Sequence, residues 1–495
     1  MADKYLIGWS EVDMTPDKKI SLAGQFYERI SEYVETPITA TALAIESEGE
    51  QAILCSCDLT SVAMGLVERV REKVAEKEPE IDTSKIIINA THTHTSHTYK
   101  TATGNPITTT RDILNRYIPE EQHYKPLISA KGDDYLKPAD AFVFLTERIA
   151  EAICKAWENR KPAGYAQGFG RAAVGMCRRV CYSDGTAKMW GDANSAAFTQ
   201  LEGGNDSGIE MLFFYDENKK LTGAAVNVNC PSQILEHRSF ISSDYWGKVR
   251  MFLREEYGDD LFVLSLGGPG GDQCPRDLIR WVNPDTPIND PHVERLDYIE
   301  RIADPSMFEI KGTLKAGKRI AREVIDAIEE VEEIKTEAPF VHKTITLDMP
   351  LRRVTPKEFE EAEEKIKNYA DKLEGNANFA DNARMYVYAG TILRYEEQHT
   401  MNVRPIEVHV LRFGDMAIAT NPYELFLDYG NQIRARSRAK QTTLIQLCNG
   451  AEGYLPTEKA EKAGHYSAYV SSGKTGHEGG DLLVRKTLEE INSMF

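Results

Sequence analysis

Three of the chain's 11 histidines fall within seven residues, Thr91-His92-Thr93-His94-Thr95-Ser96-His97. The run follows Ile86-Ile87-Ile88-Asn89-Ala90, a short β-branched segment that predicts a buried strand. In an extended segment alternate side chains share a side, so His92 and His94 can face one point in space. Two imidazoles converging at a strand end suit a transition metal, most simply zinc, or proton transfer. The plainer reading is a polar turn in which histidines happen to gather. An isolated HxH pair favours that plainer reading, because a zinc site needs further ligands from elsewhere in the chain. The other strand ends therefore decide the matter.

Residues 51–57, 84–90, 221–229, 261–266, 415–420 and 442–447 read as strands, and residues 66–77 and 140–159 as helices. That alternation predicts an α/β protein with a central, mostly parallel or mixed sheet flanked by helices. Strand after strand runs straight into polar, glycine or proline residues: Cys57-Asp58, the THTHTSH run, Asn229-Cys230-Pro231, Gly267-Gly268-Pro269-Gly270-Gly271-Asp272, Asn421-Pro422-Tyr423-Glu424 and Cys448-Asn449-Gly450. Ligands of α/β sheets bind outside the carboxyl ends of strands, so His, Cys, Asp and Glu at several such ends predict one shared site. Two segments read as excursions. Residues 98–137 are polar and irregular, as lids and substrate loops are. Residues 355–398, rich in Glu, Lys and Ala at helical spacing, predict a helical hairpin broken near Gly375-Asn376. No internal repeat, low-complexity tract or Pro/Ser-rich linker is visible, so residues 1–495 read as one catalytic domain.

Composition narrows the partners. The 495 residues are 41% hydrophobic and 27% charged, those of an ordinary globular chain. With 59 basic and 77 acidic residues the formal charge is −18, which argues against nucleic acid and anionic membranes. A small-molecule substrate is the expected partner, and homo-oligomerisation stays open. No run approaches membrane-spanning length, and Met1-Ala2-Asp3-Lys4-Tyr5 has none of the basic and apolar regions of a signal peptide. Together with eight cysteines in no repeated spacing, this predicts free thiols in a reducing cytoplasm.

Further landmarks lie in order along the chain: GWSEVDMTP at 8–16, Gly24, Asp58, the THTH at 91–94, Cys177-Arg178-Arg179, SSDYWG at 242–247, Gly271-Asp272-Gln273-Cys274-Pro275, Asn421-Pro422-Tyr423-Glu424 and Gly453-Tyr454-Leu455-Pro456-Thr457. In that order the chain resembles the neutral ceramidase family, zinc-dependent amidases with an α/β catalytic domain. The THTH matches the family's signature. Cys177-Arg178-Arg179 is similar to its NRR segment, SSDYWG to its SxDxxG, and GDQCP to its GDVSP.

The resemblance implies His92, Glu424 and Tyr454 as zinc ligands. It implies His94, Arg178 and Tyr466 as groups that polarise or hold the scissile carbonyl, Tyr466 following Tyr454 at the family's spacing. It also sets Asp58, Arg179, Asp244 and His97 against the substrate. Alternatives stay open: His94 as the partner that orients His92, Arg178 in an ordinary salt bridge, and Tyr454 in packing.

Two residues depart from the family pattern. Cys230 stands where the family has its second zinc histidine, so either a thiolate ligates the metal or His237 or His97 reaches in. Cys274 stands in the place of a serine, which with His94 nearby allows a thioester-forming nucleophile. Both thiols are alternatively inert core. Secreted members carry a further β-sandwich, and this chain ends at Phe495, where the catalytic part would end. The expectation is therefore a cytosolic zinc hydrolase of a small polar substrate: an N-acyl amine, another amide, a lactone or a glycoside. The competing readings are a metal-free Cys274/His94 amidase and a non-catalytic metabolite-binding relative.

Overall fold

The structure is a computed structural model that describes residues 5–99, 106–124, 134–282, 302–303 and 307–495. One unit of four strands and two helices recurs three times along it. The first holds β1 (Leu6–Asp13), β2 (Thr39–Ser47), β3 (Glu50–Cys57), α1 (Met64–Lys77), β4 (Ile86–Ala90) and, past α2 (Pro106–Asn115), α3 (Pro138–Glu158). The second holds β5 (Lys161–Arg171), β6 (Gly208–Asp216), β7 (Leu221–Val228), α4 (Tyr245–Tyr257), β8 (Phe262–Gly267) and α5 (Glu309–Glu329). The third opens with β9 (Phe340–Pro350), the hairpin α6 (Pro356–Ala370) and α7 (Phe379–Glu397), β10 (Val403–Phe413) and β11 (Met416–Thr420). It continues through β12 (Glu424–Leu425), α8 (Leu427–Arg436), β13 (Gln441–Ile445), β14 (Tyr454–Leu455), α9 (Glu458–Ala463) and α10 (His477–Asn492).

In every unit the first three strands pair antiparallel and the fourth lies parallel to the third: β1–β2–β3–β4, β5–β6–β7–β8 and β9–β10–β11–β13. The first two units join through Leu6–Pro162 and Ile7–Lys161 into an eight-stranded sheet, and the third is a four-stranded sheet. Leu54, Leu212 and Phe214 of the larger sheet share a core with Leu411, Phe413 and Ile418 of the smaller. Strand β4 is buried on both sides: Ile86 and Ile88 meet Val67 and Val70 of α1, while Ile87 faces the inter-sheet core. That double burial is why its sequence is a continuous apolar run. Each fully buried isoleucine contributes roughly 2 kcal/mol.

The three parallel pairs meet through a ring of buried polar contacts. Ser56 Oγ and Asn89 Nδ2 of the first unit donate to the Ser265 carbonyl of the second. Asn227 Nδ2 of the second donates to the Leu444 carbonyl of the third (2.9 Å), and the Ala90 amide of the first to the Leu447 carbonyl just past β13 (3.2 Å). A buried amide left unpaired costs about 1–3 kcal/mol, so this ring fixes how the units meet and brings their carboxyl ends together.

The sheet is mixed, one of the two expected forms, because each unit leads with an antiparallel strand pair. Two expectations change. The architecture repeats although the sequence shows no repeat. Residues 98–137 contain helix α2, with residues 100–105 and 125–133 of that segment outside the described ones. The 355–398 hairpin forms as expected, both helices opening with capping boxes, at Thr355/Glu358 and Asn378/Asp381. With α2 it builds its own core around Ile113, Leu114, Ile366, Met385 and Ile392. Among the described residues no helix is long and apolar enough to cross a membrane.

Candidate active site

His92 and His94 do converge, though not by strand alternation. Strand β4 ends at Ala90, and His92 adopts φ 65°, a left-handed conformation that costs a non-glycine residue of order 1–3 kcal/mol and often marks a functional site. The twist turns the two rings edge to face, centroids 4.7 Å apart, with Nε2 3.2 Å from Nε2. Nδ1 of His92 is 2.7 Å from the Thr60 carbonyl. A carbonyl only accepts, so Nδ1 carries the proton and Nε2 a lone pair. Nδ1 of His94 makes an ion-pair contact with Glu236 Oε2 at 3.4 Å. The His92 Nε2 lone pair therefore faces His94 Nε2 across 3.2 Å, placed to accept a proton or to bind a metal ion. Gly24 permits it: with φ +93°, it lies where a Cβ would stand 2.4 Å from His94 Cγ.

The third unit supplies the opposite wall. Glu424 and Tyr454 are direct partners in the β12–β14 ladder, and Glu424 Oε2 stands 3.6 Å from His92 Nε2. A tetrahedral zinc with nitrogen and oxygen ligands spaces neighbouring donors by ~3.3 Å, close to both His92 separations. No three described His, Cys, Asp or Glu side chains already form a metal cage, so the donors meet pairwise around His92, with the Tyr454 phenol beside them. Tyr466 lies edge-on to Tyr454 at 5.5 Å. Burial first, then Glu424, raises the pKa of both phenols, keeping them protonated donors.

Arg178 enters from the second unit. Its Nη2 donates to the Gly271 carbonyl (3.0 Å) and toward the Tyr454 hydroxyl (3.3 Å). Its Nε is buried and makes no hydrogen bond to a described residue. Burial opposes its charge, but its neighbours, the Glu424 carboxylate among them, hold its pKa above the ordinary value and it stays protonated.

The remaining expected residues sit elsewhere or serve the frame. Cys230 is packed among Val174, Val228 and Ile234, its thiol donating to the Pro231 carbonyl (3.6 Å) and its pKa pushed well up by burial. It joins no group of metal donors with His92 and Glu424. His237 pairs with Glu309 (2.9 Å), and His97 Nε2 bonds the Met14 carbonyl (2.9 Å), so neither replaces the missing histidine. The Cys274 thiol donates to the Arg276 carbonyl (3.3 Å), and burial raises its pKa to about 11. Asp58, fully buried, accepts from Arg250 at 2.8 and 2.9 Å and from Thr39, which leaves it no role against substrate. Arg179 forks onto Glu202 and holds the carbonyls of Gly464 and Tyr466, acting on the site through the Tyr466 loop. Asp244 caps α4 and accepts from the Leu235 amide.

Two residues had escaped notice. Glu236 follows β7 as Glu424 follows β11, and only that positional likeness could have marked it. Arg29, buried, donates to the carbonyls of His94, Ala23 and Arg238 (2.6, 2.5 and 2.7 Å) and so clamps the histidine loop. Nothing in its local sequence distinguishes it.

No protein-family model matches the chain, and no curated protein matches it in sequence. Solved structures do match. Neutral ceramidase from Pseudomonas aeruginosa superposes with a TM-score of 0.66 at 15% identity, over 99% of this chain and 74% of that one. A ceramidase complexed with C2 gives 0.67 at 14% identity, over 99% and 75%. The chain has the neutral ceramidase fold. The fold inferred from the ordered landmarks is thus the observed one, and its site lies at the carboxyl ends of the parallel pairs.

Proposed function

We propose that the chain is a zinc-dependent hydrolase of an amide (N-acyl) bond in a small polar substrate. His92, Glu424 and Tyr454 hold the metal, and His94, Arg178 and Tyr466 act on the carbonyl. The observation that carries this reading is His92 Nε2 meeting His94 Nε2 at 3.2 Å and Glu424 Oε2 at 3.6 Å, with the Thr60 carbonyl at His92 Nδ1 leaving the Nε2 lone pair turned toward both. The ceramidase fold supports the amide class, since a ceramide is an N-acyl amine. When bound, zinc supplies Lewis acidity that lowers the pKa of water toward neutrality and polarises a carbonyl.

The protein's own groups do the rest. His94, with Glu236 3.4 Å from its Nδ1, takes the proton of the attacking water and returns it to the leaving amine. Arg178, with a free Nε donor, meets the charge that grows on the carbonyl oxygen, and Tyr466 adds a phenol donor. The buried surroundings of Arg178 and Tyr454 strengthen those contacts. A thiol route finds little support: at a pKa of about 11, about one Cys274 in ten thousand is thiolate at pH 7. The test is hydrolysis of a panel of short N-acetyl amines before chelation, after it, and after zinc is restored. Loss and recovery support the reading. Activity that survives chelation but dies with thiol alkylation would assign the reaction to Cys274.

A further inference from the structure

Each unit sends an excursion between its first and second strands, and all three reach the site. The first brings Gly24 and Phe26, the second Arg178, and the third the hairpin of α6 and α7. The side chain α7 delivers is Tyr386. Its ring stands edge-on to Phe26 at 5.2 Å, Phe26 stands 6.0 Å from Tyr466, and Tyr466 5.5 Å from Tyr454. This edge-to-face chain leads from β14 out to α7.

The helix is seated rather than loosely laid there. Residues 386, 390 and 394 share one helix face. At Gly390 a Cβ would come within 2.5 Å of Ser471 Cβ, so only glycine lets α7 lie so close to the Tyr466 loop. One turn further, Arg394 Nη2 donates to the carbonyls of Lys474 (3.0 Å) and Arg352 (3.2 Å). Phe26, Tyr386 and Tyr466 are half-buried, whereas His92, His94, Glu236 and Tyr454 are buried. The three rings thus form an aromatic rim over the catalytic groups. The Tyr386 hydroxyl makes no hydrogen bond to any described residue, and burial first, then the Glu424 charge, raises its pKa.

We infer that Tyr386 is a specificity-determining residue whose hydroxyl, together with the Phe26 and Tyr466 rings, receives a hydroxylated ring carried by the substrate, as in an N-acylated amino sugar. This rests on the amidase reading and names its substrate class. The apolar C–H face of such a ring covers the aromatic rim, and a ring hydroxyl pairs with the phenol, which both donates and accepts. A plain alkyl chain would leave that phenol desolvated and unpaired, the situation that lets a polar site reject apolar analogues.

The test compares kcat/KM on N-acetylglucosamine and on N-cyclohexylacetamide, a ring of like size without hydroxyls, using the full-length zinc-loaded protein. Wild type should prefer the sugar, and Tyr386→Phe should lose about tenfold of that preference through KM, the worth of one hydrogen bond, while keeping its activity on N-cyclohexylacetamide. Gly390→Val, which pushes α7 off Ser471, should lose the same preference. An unchanged preference in Tyr386→Phe, or an equal loss on both substrates, overturns the inference. If acetamide or other short amides are hydrolysed and the sugar is neither bound nor cleaved, the amidase reading stands and the inference falls. If no amide is hydrolysed, both fall.

Discussion

The first and second units fold the same strands in the same order yet finish their parallel pairs with different chemistry. After β4 the first unit twists His92 into a left-handed conformation and brings its Nε2 within 3.2 Å of His94 Nε2 and 3.6 Å of Glu424 Oε2. After β7 and β8 the second unit offers Cys230 and Cys274, each thiol donating to a carbonyl within two residues of itself and each driven toward protonation by burial. What the second unit contributes instead is support: Glu236 behind His94, and Arg178 beside Tyr454. The repeated scaffold therefore dictates where chemistry can sit, and the loop residues decide whether it does. The cysteine in the place of a metal histidine packs in the core of the second unit.

Substitutions can break that contrast. His94→Ala and Tyr466→Phe should each lower amide hydrolysis about a hundredfold or more, as lost acid–base and oxyanion donors do, measured as kcat at saturating substrate. Asp58→Ala, which strands a buried Arg250, should cost about 3–5 kcal/mol of stability in denaturant titrations. A folded Asp58→Ala protein with an altered KM would return Asp58 to the substrate. Glu236→Gln should lower kcat by about tenfold, because it weakens the hold on His94 Nδ1. Cys230→Ser and Cys274→Ser should each stay within about tenfold of wild type, roughly 1.4 kcal/mol on the barrier.

A smaller effect sharpens the same comparison through pH. Burial raises the Asp244 carboxyl of the second unit to about 7, against about 3.9 in an unfolded chain. Between those values the folded protein holds a proton that the unfolded chain releases, so stability falls as pH rises through the window and levels off above it. Asp244→Asn should flatten that slope in thermal melts taken from pH 4 to 8, and a slope unchanged in the variant would place the titration elsewhere.

The sequence exposed one half of each unit. The six parallel-paired strands of the two main sheets were legible, because burial on both faces writes continuous apolar runs such as Ile86-Ile87-Ile88. The antiparallel leading strands were not, because they break the pattern: Glu210 interrupts β6, and β9 alternates exposed and buried residues over TLDM. The threefold repeat went unseen for the same reason. The histidines, Glu424 and the tyrosines could be found from strand-end position and motif order. Glu236, Arg29 and Tyr386 could not, since each matters through a contact made across units. The turn of the Cys230 thiol toward the Pro231 carbonyl is likewise set by packing, which its place in the chain does not reveal.

The most direct test of the account is the zinc content of protein purified without chelator or a metal-binding affinity tag, measured beside three variants. One zinc per chain is expected in the wild type and in Cys230→Ser, with sharp loss in His92→Ala and Glu424→Ala and an unaltered circular dichroism spectrum in all four. Stoichiometric zinc retained by both His92→Ala and Glu424→Ala, or lost from Cys230→Ser alone, would contradict it.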